Sequence, residues 1–134
     1  MDIKVSVIIP VYNVAPYLDA CLSSCLNQTF RDIEIIVVND GSSDGSPQII
    51  EEYTAKDERV VVITKNNEGV SIARKYGLEV ARGDYVYFLD GDDYLELNTL
   101  EILYDEVIKQ EADYVLSNYY DVIDNIMKYV VMIE

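Results

Sequence analysis

The sequence predicts an α/β domain, a mostly parallel sheet flanked by helices on both faces to give a three-layer sandwich. Three observations carry this expectation. Short apolar runs alternate with helix-periodic stretches from one end of the 134 residues to the other. The apolar runs are continuous, not alternating, so both faces of each strand are covered, as in parallel sheets. The polar, turn-forming residues gather in the segments that follow the strands, where ligands bind in such sandwiches. Length favours one domain over residues 1–134, and no repeat, low-complexity tract or linker divides it.

Val5 to Ile9 is an apolar run rich in β-branched residues, ended by Pro10, and predicts a buried strand. Pro16 suits the first turn of a helix. Tyr17, Leu18, Cys21, Leu22, Cys25 and Leu26 then recur at helical spacing and predict one apolar face. Ile33 to Val38 predicts a second strand, followed by the polar loop Asn39-Asp40-Gly41-Ser42-Ser43-Asp44-Gly45. Ser46 as N-cap and Pro47 at the first helical position open a helix to Lys56. Val60 to Ile63 predicts a third strand and Lys65 to Gly69 the loop after it. A helix over 70–82 should carry Ile72, Ala73, Tyr76 and Val80 on its inner side, with Gly83 as its C-cap. Ala73 and Gly77, small and four apart, predict that this helix sits close on the sheet. Tyr85 to Leu89 is a fourth strand. Asn98 to Glu101 has the form of a capping box for a helix to Gln110. Tyr114 to Asn118 and Ile126 to Ile133 predict two last strands, joined by a turn at Asp124-Asn125.

Composition excludes several functions. Acids number 25 against 10 bases, a net charge of −15, which repels nucleic-acid phosphates and anionic lipid. No nucleic acid is expected as partner. The chain has no His, so a His-containing triad, a zincin and a His-ligated metal are ruled out. Cys21 and Cys25 lack CxxC spacing and predict a reduced, buried pair. The first apolar run is too short to span a bilayer or act as a signal peptide. A cytoplasmic protein is expected, with peripheral attachment to the inner membrane open for a longer form.

The most informative stretch is Phe88-Leu89-Asp90-Gly91-Asp92-Asp93. A strand that ends in three carboxylates sets negative charge at the carboxyl edge of the sheet. A hard divalent cation, Mg2+ or Mn2+, suits such oxygens and keeps coordination sites open for a diphosphate. The alternative is a solvated acidic turn before a helix. Three further loops flank it at the same edge, Pro10 to Asn13, Asn39 to Asp44 and Lys65 to Gly69.

Five stretches occur in order: Val7-Ile8-Ile9-Pro10-Val11-Tyr12-Asn13, Val38-Asn39-Asp40-Gly41-Ser42-Ser43-Asp44, Asn67-x-Gly69-x-x-x-Ala73-Arg74-x-x-Gly77, Gly83-Asp84-Tyr85 and Phe88-Leu89-Asp90-Gly91-Asp92-Asp93. Each alone is weak. Together they cover most of residues 4–95, and they resemble the nucleotide-binding half of a family 2 glycosyltransferase with the GT-A, Rossmann-like fold. The resemblance implies transfer of a sugar from a nucleotide-diphosphate donor, a UDP-sugar, to a saccharide or lipid-linked acceptor, as in polysaccharide biosynthesis. It implies that Pro10, Tyr12 and Asn13 flank the base, although Tyr12 equally well covers the sheet edge. Asp40 can accept a hydrogen bond from a pyrimidine imide N–H or simply start the turn at Gly41; the resemblance favours the base. Asn67 and Gly69 face the donor, Gly69 permitting positive φ. Asp92 is the implied metal ligand, Asp90 belongs to the ribose or metal shell, and Asp93 orients the loop. Gly91 stands where a small polar residue is more usual, and Lys75 where the family often carries Asn. Arg74 pairs with donor phosphate or, more in keeping with so acidic a chain, with a neighbouring acid.

The resembling enzymes continue well past the equivalent of Glu134. The acceptor wall and the general base fall in that later part, so the chain is expected to be a truncated donor-binding piece with its catalytic base unknown. The resemblance suggests inversion. Asp121 and Asp124 read as a solvated turn. An apolar edge from Tyr119 to Ile133 suggests self-association into a homo-oligomer. The alternative function is a catalytically inactive sugar-nucleotide-binding or interaction domain. A nucleotidylyltransferase is disfavoured by the absence of GxGxxG and GxxxxGK[ST], and a response regulator by the absence of an acid after the first strand.

Overall fold

A computed structural model describes residues 2–111, and the backbone of residues 114–120 and 127–133. Its elements run β1 (Val5–Val11), α1 (Ala15–Leu26), β2 (Ile33–Asp40), α2 (Ser46–Lys56), β3 (Val60–Lys65), α3 (Val70–Val80), β4 (Tyr85–Phe88), α4 (Thr99–Lys109), β5 (Tyr114–Tyr120) and β6 (Met127–Ile133). The sheet order is β3-β2-β1-β4-β6-β5. The first four strands are mutually parallel. β6 runs antiparallel to both β4 and β5. Among the described residues no helix is long and apolar enough to cross a membrane.

Strand residues alternate faces, so β1 and β2 build two cores at once. Val5, Val7, Ile9 and Val11, with Ile33, Ile35 and Val37, pack against Leu18, Cys21, Leu22 and Cys25 of α1, Ile50 and Tyr53 of α2, and Leu100, Leu103 and Val107 of α4. On the other face Ile8, Ile36, Val38 and Val86 pack against Ala73 of α3. Cys21 and Cys25 are buried and unbridged, as expected. A buried charge ties β1 and β2 to the segment after α3. Glu34, 2% exposed, accepts hydrogen bonds from the Ser6 hydroxyl at 2.6 Å and from Arg82 N and Nε at 2.7 and 3.1 Å.

Several local expectations are corrected. β1 does not stop at Pro10, which pairs in register with Val38. Ile8 O accepts from Leu89 N on the β4 side. Pro10, two residues on, points its missing donor to that same side, where β4 has already ended opposite Ile8. β3 is not covered on both faces but alternates, because it is the edge of the sheet. On α1, Tyr17 is exposed. On α3, Tyr76 and Val80 face outward and only Ala73 and Gly77 are buried. A Cβ at Gly77 would lie 2.5 Å from Ile8 Cγ2, so the tight seat of this helix is confirmed while its inner stripe is narrower than predicted.

Capping also differs. Gly45, not Ser46, precedes the first residue of α2, and the Ser46 hydroxyl accepts from Val14 N at 3.2 Å. Gly83 does not cap α3, which ends at Val80. It lies against β1, where its N–H donates to Ser6 Oγ at 2.8 Å. The box at α4 does not close, because Glu101 instead accepts from the Thr29 hydroxyl at 2.7 Å. The turn at Asp124-Asn125, and Asp121, lie outside the described residues, as do the side chains of the apolar edge from Tyr119 to Ile133.

Gly77→Ala should therefore destabilise the domain despite alanine's better helix propensity. Overpacking of this kind costs about 1–3 kcal/mol, against a gain of about 1 kcal/mol from propensity. A lowered urea midpoint at unchanged m-value is the expected result, and an unchanged midpoint would contradict the close packing.

Candidate functional site

Asp90, Asp92 and Asp93 leave the end of β4 in a turn closed by the Asp93 N–H on the Asp90 carbonyl, at 3.0 Å. All three are exposed, and one carboxylate oxygen from each lies within 4.8 Å of the others. Three like charges at that range repel one another. Arg74 of α3 relieves part of this, with Nη2 2.9 Å from Asp90 Oδ1, so the expected pairing of Arg74 with a neighbouring acid holds. Its guanidinium also lies over the Phe88 ring, 5.9 Å from the centroid. The donor set of oxygens alone, close together and open to solvent, fits Mg2+ or Mn2+.

The turn is anchored from below. The Cys21 thiol donates to the Asp90 carbonyl at 3.6 Å. Its hydrogen bond with Cys25, burial and the nearby charges of Asp93 and Asp92 push that thiol's pKa well up, so it stays a neutral donor. Gly91 is buried against the first loop. A Cβ there would meet Val14 Cγ2 at 2.9 Å and the Pro10 carbonyl at 3.3 Å. This contact places the acidic turn beside the end of β1.

Side chains join the remaining loops in sequence. Asn13, at φ 51, accepts with Oδ1 from Ser43 N at 2.8 Å and Asp44 N at 3.3 Å, while its own N–H donates to Ser42 Oγ. Asp44 accepts from Ala15 N and Ser46 N, at 3.1 and 2.9 Å. Asn39 Oδ1 accepts from Ser42 N at 3.1 Å. Asp40 then fastens the second loop to the third. Its Oδ1 accepts from Lys65 Nζ at 2.8 Å and Glu68 N at 3.0 Å; its Oδ2 accepts from Asn67 Nδ2 at 3.2 Å and Gly69 N at 3.0 Å. Gly69 has φ 99, and a Cβ there would meet nothing within 4 Å, so glycine serves the backbone conformation and not a tight fit.

Pro10, Gly91, Asp90 and Asp92 are thus brought together at one end of β1 and β4, and Asp40, Asn67 and Gly69 at the end of β2. Tyr12 is half exposed between them. Asp40, read from the sequence as a base contact or a turn-starting residue, is engaged within the chain here. A carboxylate has about four acceptor positions, and four donors within the chain engage them. A base imide reaches Asp40 only by displacing one. Sequence reasoning gave no separate role to Lys65, whose side chain is 6% exposed. The available signal was a base at the end of an edge strand in a chain so poor in bases. A separate hollow of about 280 Å3 lies between α2 and β3, bordered by Asn39, Ile50, Val62 and Thr64, and contains none of the three clustered acids.

The Glycosyl transferase family 2 model matches residues 6–134. Glycosyltransferase GlyA of Streptococcus pneumoniae is 46% identical over 120 residues, which are 90% of this chain and 17% of that protein. The glycosyltransferase EpsJ of Bacillus subtilis is 45% identical over 116 residues, 87% of this chain and 34% of that protein. The structure of S. aureus TarS 1-349 in complex with UDP-GlcNAc superposes with a TM-score of 0.80 at 34% identity. It covers 85% of this chain and 34% of that one. The chain therefore spans about a sixth of the length of GlyA, and about a third of EpsJ and of that TarS fragment.

Burial alone would raise the Asp40 pKa, but the hydrogen bonds from Lys65, Glu68 N and Gly69 N outweigh it and hold it below the ordinary carboxylate value. Burial would lower Lys65, and Asp40 and Glu68 reverse that, leaving it raised. The Asp40 contribution is then complete above the unfolded value of about 3.9 and is lost as pH falls through the lower folded value. The Lys65 contribution is complete below about 10.4 and is lost as pH rises through the higher folded value. Asp40→Asn should lose about 2 kcal/mol at pH 7, the scale of hydrogen bonds to a charged group, and depend less steeply on pH below 4 than the parent chain. Urea midpoints at a series of acid pH values would test this; parallel curves would refute it.

Proposed function

The chain belongs to glycosyl transferase family 2, and from that membership we propose that it binds a nucleotide-diphosphate sugar, a UDP-sugar, together with Mg2+ or Mn2+. The observation that carries this reading is the convergence of three carboxylates at the end of β4, in a turn whose Gly91 lies against the Pro10 carbonyl of β1. Asp92 and Asp90 would hold the cation, and Asp93 would keep the turn in shape. When bound, the cation would offset the charge of the departing diphosphate. Arg74 keeps Asp90 Oδ1 in place and lowers the repulsion that three acids feel before the cation arrives.

Tyr12, half exposed at the end of β1, offers an aromatic face to the base. Asn13 holds loop one to loop two and so fixes where that face stands. Gly69 and Asn67 form the opposite wall, with Gly69 leaving room for a ligand beside its backbone. Support for uridine comes from TarS, which has been solved with UDP-GlcNAc and is 34% identical over the shared part. Transfer to a saccharide or lipid-linked hydroxyl is part of the same proposal. It concerns the whole enzyme, since this chain matches only part of each relative.

Calorimetric titration of UDP in the presence of Mn2+ should give saturable heat. At about 100 times Kd the ligand adds roughly 2.7 kcal/mol of stability, a thermal shift of several degrees. Asp92→Asn should lower Mn2+ affinity by about tenfold or more, as loss of one charged ligand does, and leave the unliganded midpoint within about 0.5 kcal/mol because the residue is exposed. No heat and no shift with the parent chain would overturn the reading.

A further inference from the structure

Among the described residues, Lys65 differs from Arg74, the other ion-paired base at this edge. Its side chain is 6% exposed, while that of Arg74 is 37% exposed. A buried ammonium persists only where its protons and its charge are met. Here Nζ lies 2.8 Å from Asp40 Oδ1 and 3.0 Å from Glu68 Oε1, and it donates to the Asn66 carbonyl at 2.6 Å. The Tyr76 ring covers it from α3, 5.1 Å from Nζ to the centroid. One cation therefore touches the end of β2, the loop after β3, and the middle of α3. That cover also explains why Tyr76 turns away from the sheet.

The path of residues 66–69 depends on this contact. Without Lys65, the buried Asp40 carboxylate keeps only neutral donors against its charge, two of which are the backbone N–H groups of Glu68 and Gly69. We propose that Lys65 is a positioning residue of the donor site: by holding the Asp40 carboxylate in place it sets the 66–69 loop and the start of α3, the wall against which the nucleotide lies. Lys65 itself does not touch the ligand. The same placement carries Arg74 to Asp90, so one buried cation aligns the base-side loop with the acidic turn.

The inference rests on the donor-site reading for its consequence but not for its geometry, and two measurements separate them. In Lys65→Met, the amides of Glu68 and Gly69 should exchange about tenfold faster, while those of β1 and α1 keep their rates. UDP affinity in Mn2+ should fall about fivefold or more, because the wall must be ordered on binding, and Lys65→Arg should recover most of both effects. Unchanged exchange at Glu68 and Gly69 would overturn the positioning role. Faster exchange with undiminished UDP affinity would overturn its link to the donor. If the parent chain binds no UDP, the donor-site reading fails and the exchange rates alone decide the loop's dependence on Lys65. Should Lys65→Met not fold, Glu68→Gln removes one partner of Lys65 from a half-exposed position. The Gly69 amide should then exchange about two- to threefold faster, and no change there would equally refute the role.

Discussion

Loops at the end of a parallel sheet leave backbone N–H groups with no ladder to join, and buried ones must find acceptors. In this molecule short acidic and amide side chains supply them. Asp40 takes Glu68 N and Gly69 N, Asp44 takes Ala15 N and Ser46 N, Asn13 takes Ser43 N and Asp44 N, and Asn39 takes Ser42 N. This demand for acceptors orders three of the four loops. It also separates the acids into two kinds. Asp40 and Asp44 spend their oxygens on backbone N–H groups, whereas Asp90, Asp92 and Asp93 are exposed and bring a carboxylate oxygen each to one place, with Asp90 also paired to Arg74. In a chain of net charge −15, the second arrangement is the one that invites a cation.

The layers and the site region were legible because they rest on period and composition. Continuous apolar runs located β1 and β2, and loop chemistry located the carboxyl edge. Residue-level direction was less legible. Tyr76 and Val80 fit a helical stripe, yet contact with the sheet is set by the absence of side chain at Gly77, which draws the axis so near Ile8 that the stripe narrows to Ala73 and Gly77. Ser46 and Glu101 have cap-like neighbours, but distant partners, Val14 N and the Thr29 hydroxyl, take them instead. Such contacts span tens of residues, and no local pattern encodes them.

The site shows the same division. The acidic turn is a contiguous motif and could be read directly. Asp40 could be read as a carboxylate at a strand end, but its saturation by Lys65, Asn67, Glu68 and Gly69 depends on how β2 and β3 align, with Asp40 opposite Lys65 in the register. Lys65 had no motif of its own. Its burial follows from that alignment and from the Tyr76 ring above it.

Gly91 has a consequence for the shape of the first loop. Its α-carbon faces a Val14 methyl so closely that any side chain at 91 would intrude on it. Positions 14 and 91 thus share a fixed volume. A homologue with serine or alanine between the aspartates equivalent to Asp90 and Asp92 should compensate with a smaller residue where this chain has valine, or else push its acidic turn outward and change how far apart the carboxylates stand.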